Sequence, residues 1–90
     1  MALPRKASTD SKHMLFASNA IIWVLFTVIY WAMDRANPGK HFGPQFNPVY
    51  YGVVVHTTIG FGDIVPQTPE ARWVTSAHAV LTLVATLYYL

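Results

Sequence analysis

The 90-residue sequence has no cysteine, which excludes disulfides, thiol catalysis and cysteine–zinc sites and leaves the redox compartment open. Charge is scarce too. Asp, Glu, Lys and Arg make up 11% of the chain, under half of the about 25% usual in soluble proteins. The basic residues Arg5, Lys6, Lys12, Arg35, Lys40 and Arg72 give a net charge of only +2 and have no interleaved aromatics, which argues against nucleic acid as a partner. Paired intramembrane carboxylates, an activated serine and metal-binding histidine spacing are all missing, since His13, His41, His56 and His78 are dispersed. The sequence therefore speaks against an enzyme, and no cofactor is expected. What it has instead is apolar surface, at 53% of residues. A soluble domain this short cannot hide so much, but a lipid bilayer can.

Residues 1–13 are polar and basic and read as a cytoplasmic segment; Pro4 and the Ser/Thr content oppose an interfacial helix there. The uncharged run 14–33 reaches roughly 30 Å as a helix, the thickness of a bilayer's hydrocarbon core. A signal peptide has a shorter apolar region and a small-residue cleavage site, neither of which fits here. Residues 34–47, broken by Pro38, Gly39, Gly43 and Pro44, form an extracellular turret loop. Asn47 followed by Pro48 is a helix start, and the apolar segment over 48–57 is long enough to cross only half a membrane. Glycine-rich 58–62 cannot continue a helix, and 63–72 forms an outer loop. A second uncharged run, 73–90, supplies another span. Lys/Arg density places both termini in the cytoplasm.

Between the spans stands Thr57-Thr58-Ile59-Gly60-Phe61-Gly62-Asp63. Stripping water from a potassium ion is costly, so a pore must offer replacement oxygens several times in a row. Backbone carbonyls aimed at one axis can do so, but this needs alternating left- and right-handed backbone, and glycine takes positive φ without steric penalty. The spacing of Gly60 and Gly62 suits that task. Thr58 would add a hydroxyl as the lowest oxygen ring, and Thr58, Ile59, Gly60, Phe61 and Gly62 would bind the ions. By chance, Thr-x-Gly-aromatic-Gly should arise in roughly one chain of this length in a thousand.

The heptapeptide resembles the potassium-channel selectivity filter. Tyr51-Gly52-Val53, His56-Thr57-Thr58, Gly60 to Ile64, Pro66 and Ala77-His78 resemble the miniature potassium channels of chlorella viruses and related algal viruses. The resemblance implies an all-α membrane protein. Two transmembrane helices would flank a re-entrant pore helix and filter loop, in a four-fold tetramer with three identical subunits as partners. It also implies a viral protein in a host-cell or virion internal membrane. Two departures stand out: Phe61 replaces the common tyrosine, so it has no hydroxyl to brace the filter, and no glycine hinge follows Gly62. Tyr50 and Tyr51 could pack around Phe61 as an aromatic cuff, with His56 and Thr57 supporting the filter from behind.

The pore helix would aim its partly negative C-terminal end at the membrane centre, favouring a cation there. Asp63 has two readings, an acidic ring at the outer mouth or a local cap or ion-pair partner. In the second span Thr75, His78, Thr82 and Thr86 fall within an arc of about 80°. This stripe is expected to face the pore, with Thr82, Thr86 and Leu90 lining the cavity and inner mouth. The alternative is bonding to helix carbonyls or to the first span. Free carboxylates at Leu90 are expected to ring the inner mouth and attract potassium, so that a neutral C-terminal extension should change inward and outward conductance at low salt. Asn19 is expected to make an interhelical hydrogen bond, His13 and His41 to be solvated, and Tyr30, Trp31, Trp73, Tyr88 and Tyr89 to anchor at interfaces. The function expected is passive potassium conduction. A weakly selective cation pore and a non-conducting subunit that modulates a host channel are the alternatives.

Overall fold

The computed structural model describes residues 9–90, which form three helices: α1 (Thr9–Ala36), α2 (Pro48–His56) and α3 (Pro69–Tyr89). Of the N-terminal segment expected over 1–13, residues 1–8 lie outside the described residues, and α1 already begins at Thr9. The apolar run thus marks the part of the helix suited to lipid, not the whole helix. Among the described residues one helix, over Ser11–Ala36, is long and apolar enough to cross a membrane. With 21 residues, α3 is comparable in length, but its first turn carries Glu70 and Arg72.

Both later helices start by the same device. Asn47 sits in extended conformation and its side-chain oxygen accepts from the Tyr50 N–H at 3.1 Å, with Pro48 in the first turn. Thr68 does the same for the Ala71 N–H at 3.2 Å, with Pro69 following. The cap puts the start of α3 four residues before Trp73, where the uncharged run begins.

The two long helices pack against each other, and the short α2 packs against both. The core is aromatic. Tyr30 is fully buried, with Tyr51 edge-on at a 4.9 Å centroid distance and Phe42 edge-on at 5.6 Å. Phe46 stacks on Phe42 at 4.3 Å and closes the cluster from the connecting loop. Tyr30 is therefore a core residue and not an interface anchor, whereas Trp31, Trp73 and Tyr88 are exposed. His41 also departs from expectation. It is buried, its ring bonds the Thr68 hydroxyl, and its carbonyl accepts from the Gln67 N–H at 2.7 Å, so the 34–47 loop is tied to the start of α3.

Where α2 meets α1, Gly52 is buried against Trp23 and Thr27. A Cβ on Gly52 would lie 2.4 Å from Thr27 Oγ1 and 3.2 Å from Trp23 Nε1. Those two polar atoms are themselves buried without a hydrogen-bond partner among the described residues. The close approach of the two backbones depends on the missing side chain.

Candidate functional site

The chain leaves α2 through a series of bonds back to its last turn. Thr57 donates to the Val53 carbonyl from its N–H at 2.9 Å and from its hydroxyl at 2.7 Å. The Thr58 N–H donates to Val55 O at 3.1 Å and the Gly60 N–H to Val54 O at 3.4 Å. Carbonyls that a helix end leaves without partners here fasten the following loop.

Within that loop the backbone alternates. Thr58, Gly60 and Gly62 have φ of 63°, 57° and 82°, while Ile59, Phe61 and Asp63 between and after them are not in the positive-φ region. Glycine accounts for two of the three. Thr58 was not foreseen in this role, because a β-branched residue at positive φ is a steric outlier. Its N–H bond to Val55 and its hydroxyl bond to the Thr57 carbonyl at 2.6 Å hold it there. Strain of this kind persists where the surroundings over-determine it, commonly at functional sites.

Thr57 to Asp63 are exposed in the single chain, with Ile59 57% and Phe61 65% accessible. The aromatic cuff is not formed within one chain. Tyr51 is taken up by Tyr30, Phe42 and Phe46, and donates to or accepts from the Thr75 hydroxyl at 2.9 Å. Tyr50 turns instead to Asp63, donating its phenol O–H to Oδ2 at 2.6 Å. This bond across the loop gives Asp63 a local partner and raises the Tyr50 phenol above its ordinary range, because the bonded carboxylate disfavours a phenolate. On the alkaline side the bond is accordingly lost only as pH rises through the raised titration of the phenol. Tyr50→Phe is expected to loosen the outer end of the loop. Hydrogen exchange at the Asp63 and Ile64 amides should rise several-fold, with the helices unaffected.

Behind the loop lies a polar cluster drawn from all three helices. His56 Nε2 is 3.0 Å from Asn19 Oδ1 on α1, and His56 Nδ1 is 3.1 Å from His78 Nε2 on α3. His78 Nδ1 is 2.8 Å from the Tyr30 hydroxyl, and the imidazole stacks on Phe26 at 4.7 Å and 4°. The Thr82 hydroxyl donates to the His78 carbonyl at 2.9 Å, and Thr86 reaches Asn19 Oδ1 at 3.5 Å.

This cluster corrects the expected pore lining. His78 is fully buried, Thr82 is 7% exposed, and both Thr75 and Thr86 turn their hydroxyls to neighbouring helices. The stripe that was expected to face the pore is the seam that joins α3 to α1 and α2. On a helical projection the opposite face of α3 carries Ala77, Val80, Val84 and Leu87, all exposed. Leu90 is exposed at the end of α3, its N–H bonded to Thr86 O at 2.9 Å.

A family model described as "Ion channel" matches residues 14–90, which is all of the three-helix unit except its first turns. The chain belongs to that ion-channel family. Membership of that family, together with the apolar α1, makes it a membrane protein. Over 45 residues it is 47% identical to the potassium channel protein kcv of Paramecium bursaria Chlorella virus 1, a match covering 50% of this chain and 47% of that one. Over 54 residues it is 33% identical to a voltage-gated potassium channel of Aeropyrum pernix, covering 54% of this chain and 18% of that one. The chain thus spans less than half the length of the curated relatives it matches. No solved structure matches. The resemblance to miniature viral channels, read from the loop and its flanks, is borne out.

Proposed function

We propose that this channel chain supplies one quarter of a potassium-selective pore, in a homotetramer whose filter is Thr58 to Gly62. The observation that carries this reading is the left-handed backbone at Thr58, Gly60 and Gly62, alternate residues of the Thr-x-Gly-aromatic-Gly motif. Alternation in the sign of φ lets successive carbonyls face one way, whereas in a strand they face opposite ways. One chain presents a single column of such oxygens, and four columns around an axis replace a potassium ion's hydration shell. The names of the two relatives support potassium as the permeant ion.

In this reading α1 and α3 both span the membrane, α2 is the re-entrant pore helix, and both termini are cytoplasmic. Asp63, exposed beside the loop, concentrates cations at the outer mouth while Tyr50 holds it in place. With the polar seam turned inward, the inner pore is lined by Val80, Val84 and Leu87, and such an aliphatic wall gives permeating ions few oxygens to rest on. Potassium moves down its electrochemical gradient, with no cofactor and no chemical step.

The test is flux from proteoliposomes that hold purified protein and a potassium gradient. Potassium release that sodium cannot substitute, from a particle with the mass of four chains, is the expected result. Equal release of both ions would make it a weakly selective pore, consistent with Phe61 lacking a brace. A tetramer without flux would fit a regulatory subunit.

A further inference from the structure

The cluster of Tyr30, His78, His56 and Asn19 has a defined direction. Asn19 Nδ2 donates to the Leu15 carbonyl at 2.9 Å, which sets the amide so that Oδ1 faces His56. The flipped amide would face one carbonyl oxygen with another. Since Oδ1 can only accept, His56 Nε2 must carry the proton, and in a neutral imidazole Nδ1 is then the acceptor. His78 therefore donates from Nε2 across 3.1 Å, its own Nδ1 accepts, and the Tyr30 hydroxyl donates to it across 2.8 Å. The Thr82 hydroxyl also lies 3.3 Å from His56 Nδ1, but it gives its one proton to the His78 carbonyl at 2.9 Å. That leaves the nearer His78 Nε2–H as the donor to His56. The order Tyr30 to His78 to His56 to Asn19 then runs one way.

The position of this chain of bonds matters as much as its order. It starts and ends on α1, passes through α3 and α2, and its middle member His56 is the last residue of α2. The carbonyls of Val53, Val54 and Val55, in the same final turn, hold Thr57, Thr58 and Gly60. Moving His56 moves those carbonyls and with them the entry to the filter.

We propose that Tyr30, His78, His56 and Asn19 are positioning residues for ion selection: a one-way hydrogen-bond relay that fixes the end of the pore helix against both long helices and so sets the filter's lowest ring at Thr58. None of the four touches an ion. Displacement of α3, which carries His78 and Thr82, is transmitted through His56 to the filter base, so the inner helix and the filter form one mechanical unit. This inference rests on the potassium-pore reading of the loop.

Three measurements on the full-length tetramer test it. In nitrogen-15 solid-state NMR of the bilayer-embedded protein, both His56 and His78 are expected as neutral imidazoles protonated at Nε2. A proton on Nδ1 of either ring would overturn the relay. In planar bilayers, His78→Phe keeps the ring stack on Phe26 but removes the donor to His56. It should lower the potassium-over-sodium permeability ratio and the mean open time by roughly fivefold to tenfold. His78→Gln, which can present a donor and an acceptor in the same order, should recover most of both, a rescue that loss of packing would not show. Tyr30→Phe removes only the first donor and covers the case in which His78→Phe does not assemble; it should shift both quantities the same way by a smaller factor. Wild-type protein is the reference: if it passes no potassium-selective current, the pore reading itself has failed. If wild type is selective and both variants match it, the pore reading stands and the relay does not.

Discussion

Replacing Gly60 with alanine is expected to abolish potassium-selective current while leaving the helices intact. A Cβ on Gly60 would meet nothing within 4 Å in the chain, so the effect cannot come from crowding inside one subunit. It comes from the backbone. At φ 57° an L-residue costs roughly 1–2 kcal/mol more than glycine. Four subunits close each oxygen ring, and the cost recurs in each of them. If the strain is relieved by a flip of the peptide, one carbonyl leaves the column and the ring it formed is incomplete. Current should fall at least about a thousandfold, as four costs of this size combined imply. The decisive control is D-alanine at the same position, made by semisynthesis. Its preferred φ is positive, so it should conduct potassium nearly as well as glycine. If D-alanine is as damaging as L-alanine, left-handed backbone at Gly60 is not what the filter needs.

Gly52→Ala should be almost as severe and for a different reason. Here φ is ordinary and space is what is missing. The added methyl would lie 2.4 Å from Thr27 Oγ1, on a short β-branched side chain that cannot swing far, so α2 must move away from α1. Overpacking of this kind typically costs about 1–3 kcal/mol per site. The shift also carries the carbonyls of Val53 to Val55 that fasten the filter. The expected result is poor tetramer assembly, and little selectivity in whatever assembles. Thr27→Ala added to Gly52→Ala removes the clashing oxygen and leaves Trp23 Nε1 at 3.2 Å as the nearest neighbour, a contact that a shift of a few tenths of an ångström relieves, so much of the assembly should return. Thr27→Ala alone should be neutral or mildly stabilising, since its buried hydroxyl has no partner among the described residues. If the double variant is no better than Gly52→Ala, the contact with Thr27 is not the constraint.

Much of this arrangement was legible in the residues because each signal had a single physical meaning. An uncharged run of bilayer length, Asn47 before Pro48, and glycines at alternate positions each admit few structures. The polar stripe on α3 did not have that property. Hydroxyls and an imidazole at helical spacing look the same whether they face a water-filled cavity or another helix, and only the partners tell them apart. Those partners, His56 at 22 residues from His78 and Asn19 at 37 from His56, are too far away in sequence to be paired from spacing. Thr58 was read as a hydroxyl donor to the ion, and its φ went unnoticed because a β-branched residue gives no hint of left-handed backbone. The start of α3 was legible in Thr68-Pro69, the same signal as Asn47-Pro48, but the uncharged run drew the boundary to Trp73 instead. His41 and Tyr30 show the same limit. Each looked like a surface or interface residue by type, and burial came from the loop and aromatic cluster folding over them.

The most direct test of a potassium filter at Thr58 to Gly62 is the reversal potential of single channels formed by purified protein, with potassium on one side of a planar bilayer and sodium on the other. The account predicts a reversal potential displaced strongly toward the potassium equilibrium value, with the displacement and the current both lost in Gly60→Ala. A reversal potential near zero from an intact tetramer would contradict it.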